Sequence, residues 1–339
     1  MNEMTLRDRF ISSIKRKKTD KVPACSVTQT GTLDLMKLTG AYWPKAHFNA
    51  EDMAALAVAA YELAGLEAVR YPFDITSPLP MDMIIEGNVE TQPSIVKFPC
   101  DEKSDLDNID IEQLFDSGRM DTIIDATQII RDKVGDDVPL IAGAPGPANV
   151  AYGLVGPNNY LTWMITDEDT FGNMVDIGVE FSLEYSNTLL ENGVDAVCMP
   201  ESNAGPDLMP PQLFESMIVP AYKELTSRSK GLLIMHMCGD AVWIVDPMAD
   251  SGFDAISIEE KVNMEYAKKV MGDRVCIIGN VSSAGTLLWK SEDDIIAEAK
   301  QCLDDGVDIL APSCGFAPRT PLDNMKALVT ARDEYYLEK

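Results

Sequence analysis

Residues 304–315, DDGVDILAPSCG, hold the pattern that decides the fold. A glycine just past a helix supplies the left-handed residue that stops it, so Gly306 marks a helix end. An acidic residue, Asp308, follows. The apolar run after it suits a short strand buried on both faces of a parallel sheet. The same order recurs in LAGLEAVRYPFD (63–74), ENGVDAVCMPES (191–202) and DSGFDAISIEEK (250–261). Four similar runs lack the full pattern: KVPACSVTQ (21–29), DVPLIAGAPG (137–146), GLLIMHMCGD (231–240) and DRVCIIGNVS (273–282). Together these make eight candidate strands, with helical periodicity between most of them, for example over 50–64, 168–191 and 292–304. Eight alternating units predict an α/β fold, a (β/α)8 TIM barrel. An open doubly wound sheet is the second reading, but no Gly-rich phosphate fingerprint follows the first strand.

The first 20 residues predict an N-terminal helical segment that caps the bottom of the barrel. The interval 75–120 is long for one crossover. Within it DMIIEGNVETQPSIVKF (82–98) places EGN between two β-prone runs, the signature of an inserted hairpin. GAPGPANVAYGLVG (143–156) reads as a loop at the mouth, or as an ordinary βα turn set by its proline and glycine. No linker or low-complexity segment interrupts the chain, so residues 1–339 are expected to form a single domain.

Against 28 basic residues stand 55 acidic ones, a net charge of −27. Such a field repels phosphate backbones and anionic lipid, so neither nucleic acid nor membrane is an expected partner. The start of the chain has no apolar core of a secretory signal, and no run has the length of a membrane span. The seven cysteines are scattered and mostly lie inside apolar runs, which suits reduced thiols and a cytoplasmic location.

The chain has two histidines, His47 and His236, and the second lies two residues before Cys238. Residues two apart on a strand share a face, so His236 and Cys238 point the same way at the end of the fifth candidate strand. Cys314 ends the eighth, at the same mouth, where barrel enzymes carry their sites. Three N and S donors from two strand ends suit a zinc ion with one position open. The plain alternative is a satisfied core histidine and two buried thiols. Glu259 or Glu260, at the end of the sixth strand, would close the shell. Two thiolates and a neutral imidazole leave zinc formally uncharged, which favours holding an incoming thiol as a nucleophilic thiolate over hydrolysis.

LLIMHMCGD, GFDAISIEEKV, IIGNVSSAGTLL and GVDILAPSCGFAPRTPLDNMKALV resemble the methylcobamide:coenzyme M methyltransferases of methanogenic archaea, within the uroporphyrinogen decarboxylase superfamily. CSVTQTGTLDLM, GAYWPKAHFNAEDMA and GLEAVRYPFDIT resemble the same family's N-terminal half, so the likeness covers nearly the whole chain. EEKV, GNVSS and APRTPL look more like the methanol-pathway isozyme. The resemblance implies a barrel with one zinc at the bottom of a funnel, held by His236, Cys238 and Cys314, with Glu259 as a displaceable fourth ligand. It also implies methyl transfer from methyl-Co(III) of a corrinoid protein to the thiol of coenzyme M, 2-mercaptoethanesulfonate, in methanogenesis from methylated compounds. The corrinoid would come with the partner protein.

Asn280, Ser282, Arg70 and Gln29 are unranked candidates for the sulfonate. Three other readings compete. One is a relative with a different methyl donor or acceptor, and another is a corrinoid-protein binding module without activity. The third is uroporphyrinogen decarboxylase itself, whose arginine-rich N-terminal motif would fall on KVPACSVTQTG (21–31), where this chain has no arginine.

Overall fold

The computed structural model describes residues 3–77, 79–116 and 118–339. In chain order the described strands are β1 (Val69–Tyr71), β2 (Ile84–Ile85), β3 (Ser94–Ile95), β4 (Leu140–Gly143), β5 (Ala196–Pro200), β6 (Leu232–Met237), β7 (Ala255–Ile258), β8 (Cys276–Val281) and β9 (Ile309–Pro312). Seven of them form one parallel sheet in the order β1-β4-β5-β6-β7-β8-β9, while β2 and β3 pair antiparallel on their own. Helices alternate with the sheet strands, among them Ala50–Glu62, Glu168–Glu191 and Glu292–Asp304.

The eighth strand expected at 21–29 is not formed. Its place between β9 and β1 is held by a single bridge, Ala24 to Leu310. Leu310 N donates to Pro23 O at 2.9 Å and Cys25 N to Leu310 O at 3.0 Å, while Glu67 N donates to Ala24 O at 2.9 Å on the other side. These bonds join the two edges of the curled sheet into a ring. Pro23 has no N–H to extend the ladder. Beyond it the Ser26 hydroxyl bonds to Thr28 O at 3.2 Å and draws the chain into a turn.

The glycine–acid pattern has a physical cause at the bottom of this ring. Gly193 and Gly306 adopt φ of +97° and +90°, which favours glycine. The acidic residue two positions on then caps a neighbouring strand. Asp195 accepts from Leu140 N at 2.8 Å, Asp254 from Leu233 N at 2.9 Å and Asp308 from Ile277 N at 2.9 Å. Glu67 does the same for Ala24 N at 3.1 Å. Each carboxylate satisfies a strand-start N–H that would otherwise be buried without a partner, a defect worth about 1–3 kcal/mol.

Inside the ring Cys25, Val27, Ala68, Ile141, Ala196, Cys198, Ile234, Ala255, Cys276, Ile278, Ile309 and Ala311 pack as one cluster, joined by Phe10 and Ile14. Those last two lie on the N-terminal helix Leu6–Ile14, whose N-cap Thr5 accepts from Asp8 N at 3.0 Å. The helix therefore plugs the bottom. The stretch 143–156, expected as a loop, is largely helical, because Pro147 begins the helix Pro147–Thr166. Proline at a helix start loses no bond, since that N–H has no partner in the helix anyway. No described helix is long and apolar enough to cross a membrane.

Candidate metal centre

His236 lies on β6, one residue before its end, and Cys238 follows just past it. Cys314 stands two residues beyond β9. The three donor atoms all lie within 4.8 Å of one another, and His236 Nε2 is 3.1 Å from Cys238 Sγ. For bonds of about 2.0–2.3 Å to zinc, a tetrahedron spaces such donors about 3.6–3.8 Å apart. The His236–Cys238 pair is tighter than that spacing and no pair is wider than 4.8 Å, so a small adjustment of the side chains seats a thiophilic divalent ion. His236 is buried, and its Nδ1 lies 3.0 Å from Ser257 Oγ on the neighbouring strand β7. A histidine that ligates through Nε2 carries its proton on Nδ1, and Ser257 is placed to accept it. Ser257 is in register with His236, a polar residue in an otherwise apolar run, which is the one signal the sequence offered for it.

The two thiols are electrostatically unequal. A hydrogen bond from Cys238 and the nearby His236 hold the Cys314 thiol well below an ordinary cysteine, against the opposing effect of burial. The same shared bond, with burial, pushes Cys238 up. Two adjacent thiolates repel, so without a cation the pair keeps one proton; a bound dication removes that penalty and takes both as thiolates.

Glu259 follows β7 directly, but its carboxylate lies outside the three-donor cluster. It accepts from Gly239 N at 2.8 Å, beside Cys238. Burial and then the nearby Cys314 raise its pKa above that of an ordinary glutamate. Glu260 turns away, accepting from Ser282 Oγ at 2.9 Å.

A cavity of about 500 Å³ opens onto the three donors. Trp43, Phe73 and Phe316 form apolar walls, Arg70 and Gln29 polar ones, and Glu90, Thr91 and Gln92 reach in from the turn between β2 and β3. Gln92 is anchored by a 2.6 Å bond to Phe73 O, and Glu90 by Arg319 at 2.7 Å. The sequence marked the hairpin but not its place in the cavity wall. Nor did it mark Asp74, buried against the cavity, which pairs with Arg119 at 2.8 Å and with His47 Nδ1 at 2.8 Å. These contacts span the chain from residue 47 to residue 119, and no local pattern announces them.

Residues 5–335 match the model of the uroporphyrinogen decarboxylase (URO-D) family. The methylcobamide:CoM methyltransferase MtaA of Methanosarcina barkeri is 43% identical over 99% of this chain and 100% of its own length. The methylcobamide:CoM methyltransferase MtbA of Methanosarcina mazei is 32% identical over 99% of both. A solved methyltransferase from Methanosarcina mazei superposes with a TM-score of 0.95 at 42% identity, over 98% of this chain and 100% of that one.

Proposed function

Since the chain belongs to the uroporphyrinogen decarboxylase family, and within it is an enzyme of the methylcobamide:CoM methyltransferase type, we propose that it uses a zinc ion to move a methyl group from methyl-Co(III) of a corrinoid protein to the thiol of coenzyme M. The observation that carries the zinc reading is the approach of His236, Cys238 and Cys314 to within 4.8 Å at the floor of the cavity. Bound there, zinc would lower the pKa of an incoming thiol and keep it as a nucleophilic thiolate at neutral pH.

The chain's own residues do the rest. Cys238 and Cys314 supply two negative charges, which leave the acceptor sulfur electron-rich. Ser257 fixes the tautomer and orientation of His236. Trp43, Phe73 and Phe316 exclude water from the acceptor and narrow its approach. Glu259 is the proposed fourth, displaceable ligand; to reach that position it gives up its bond from Gly239 N. In the transfer the thiolate sulfur attacks the cobalt-bound methyl group in line, the carbon–cobalt bond breaks, and its electron pair stays on cobalt as Co(I). The corrinoid arrives with its carrier protein, and methanogenesis from methylated compounds is the setting in which this reaction belongs.

Anaerobic mixing with methylcobalamin and 2-mercaptoethanesulfonate tests the reading. Zinc-loaded protein is expected to convert the methylcobalamin spectrum with matching loss of thiol, and a chelator that strips the metal is expected to stop it. Transfer at full rate by metal-free protein contradicts the zinc reading, and no transfer by zinc-loaded protein contradicts the acceptor. Glu259→Gln is expected to keep zinc and change thiol affinity; unchanged thiol binding removes Glu259 from the scheme.

A further inference from the structure

Asn280, Ser282 and Ser283 stand at the end of β8, and none of the three lines the cavity. Asn280 donates to Glu259 O at 3.2 Å and to Val262 O at 2.8 Å, and the Ser282 hydroxyl donates to Glu260 at 2.9 Å. Both reach sideways to the loop that follows β7. Ser283 reaches the other way, to the residues that follow β9. Its hydroxyl accepts from Cys314 N at 3.0 Å and donates to Cys314 O at 3.1 Å. One side chain thus holds both main-chain polar groups of a residue whose sulfur belongs to the metal centre.

The sheet itself cannot do this. β8 and β9 stay in register as far as Val281 and Pro312, and Ser313 N donates to Val281 O at 2.8 Å. Cys314 comes next, past the last rung, where its N–H and C=O need new partners. Side chains continue the ladder. Ser313 Oγ accepts from Ser283 N at 3.0 Å and donates to Ser283 Oγ at 3.4 Å. A hydroxyl has one proton to donate and two lone pairs, and at Ser283 all three are used. Ser283 and Ser313 are both buried. The segment that carries Ser283 is fixed in turn: Ser282 N donates to Glu298 at 2.7 Å, Leu287 N to Ser282 O at 2.8 Å, and Asn324 Nδ2 to Leu287 O at 2.8 Å.

The other two donors are held differently. His236 lies inside the ladder, in register with Pro200 and Ser257. Cys238 lies past β6, and the next residue, Gly239, donates to Glu259 at 2.8 Å, a bond that the proposed function breaks. His236 Nε2 and Cys238 Sγ are 3.1 Å apart, closer than the spacing of about 3.6–3.8 Å in a zinc tetrahedron. With His236 held by the sheet and Cys314 by Ser283, the opening of that pair falls to Cys238.

We propose that Ser283 is a positioning residue of the metal centre, fixing the main chain of Cys314 so that its sulfur is in place before a metal arrives. The effect on metal affinity rests on the zinc reading above; the clamp is a property of the folded chain alone. Groups that orient a metal ligand from behind are worth about 10–100-fold in affinity.

The test compares wild type, Ser283→Ala and Ser283→Thr, each stripped of metal and kept reduced. Zinc affinity, read by competition with a chromogenic chelator, is expected to fall about 10–100-fold in Ser283→Ala and to recover in Ser283→Thr, which keeps the hydroxyl. At saturating Co(II), Ser283→Ala is expected to show a weakened thiolate-to-cobalt absorption that Ser283→Thr restores. Hydrogen exchange at the Cys314 amide of metal-free protein reads the clamp directly: slow in wild type and Ser283→Thr, fast in Ser283→Ala. Equal amide exchange in wild type and Ser283→Ala overturns the assignment. Should Ser283→Ala not fold, Ser313→Ala removes only the brace on Ser283 and is expected to lower zinc affinity by a smaller factor; unchanged affinity there rejects the assignment too. If wild type itself holds no zinc, the proposed function and this assignment fall together. If wild type and Ser283→Ala hold zinc equally well, the assignment alone falls.

Discussion

The two ends of the barrel treat buried charge in opposite ways. At the bottom, Glu67 accepts from Arg9 at 2.9 Å, from Arg332 at 2.8 Å and from Ala24 N at 3.1 Å, so these buried charges are neutralised within the chain itself. At the mouth, Arg70 has no carboxylate partner among the described residues, and two thiols of opposed acidity stand beside a buried histidine. The bottom spends its electrostatics on closing the ring, where Glu67 ties the 23–25 segment, the first helix and the last helix together. The mouth leaves charge uncompensated, which in a folded protein marks places completed by a ligand.

The contrast breaks first if the mouth cysteines turn out to be structural. Cys238→Ser and Cys314→Ser are each expected to lose bound zinc, measured by elemental analysis, and to lower methyl transfer at least about 1,000-fold, some 4 kcal/mol of barrier. Their denaturation midpoints in the absence of metal should stay near that of metal-free wild type. At the other end Glu67→Gln is expected to cost about 3–5 kcal/mol in urea denaturation, because it leaves Arg9 and Arg332 buried beside an uncharged amide. The folded variant should keep its zinc. Ser257→Ala is a smaller perturbation: loss of the group that orients a ligating histidine typically weakens metal about 10–100-fold, readable by competition with a chromogenic chelator.

The smallest effect is a pH dependence at the bottom. The hydrogen bond from Arg9 holds the Asp20 carboxyl well below the usual aspartate range. A carboxylate lowered on folding stabilises the native state above its unfolded pKa of about 4, and that stability drains away as pH falls further. Asp20→Asn is therefore expected to cost about 1–2 kcal/mol at neutral pH and to lose less stability than wild type between about pH 5 and pH 2. Parallel acid limbs for the two proteins would remove Asp20 from the account.

What the sequence revealed follows the same division between local and distant causes. Seven of the expected strands are present because apolar runs and helix-ending glycines are local signals, and the acid after each such glycine is a cap whose target lies on the adjacent strand. The eighth is shortened to one bridge by Pro23 and the Ser26–Thr28 turn, which a run of apolar residues does not register. The helix from Pro147 reads as a loop in sequence because the run GAPGP (143–147) leads into it. At the site, His236, Cys238 and Cys314 stood out as rare residue types at strand ends. The special standing of Arg70 did not, since being unpaired is a property of its neighbours. The same holds for the Asp74, His47 and Arg119 cluster and for the hairpin wall at Glu90–Gln92, each assembled by tertiary contact.

The most direct test of the central claim is the zinc K-edge X-ray absorption spectrum of the loaded protein with and without 2-mercaptoethanesulfonate. The account predicts two sulfur neighbours in the free protein and three when the thiol is added, with loss of one oxygen neighbour as Glu259 departs. A sulfur count that stays at two under saturating thiol would contradict it, because the acceptor would then be activated somewhere other than at His236, Cys238 and Cys314.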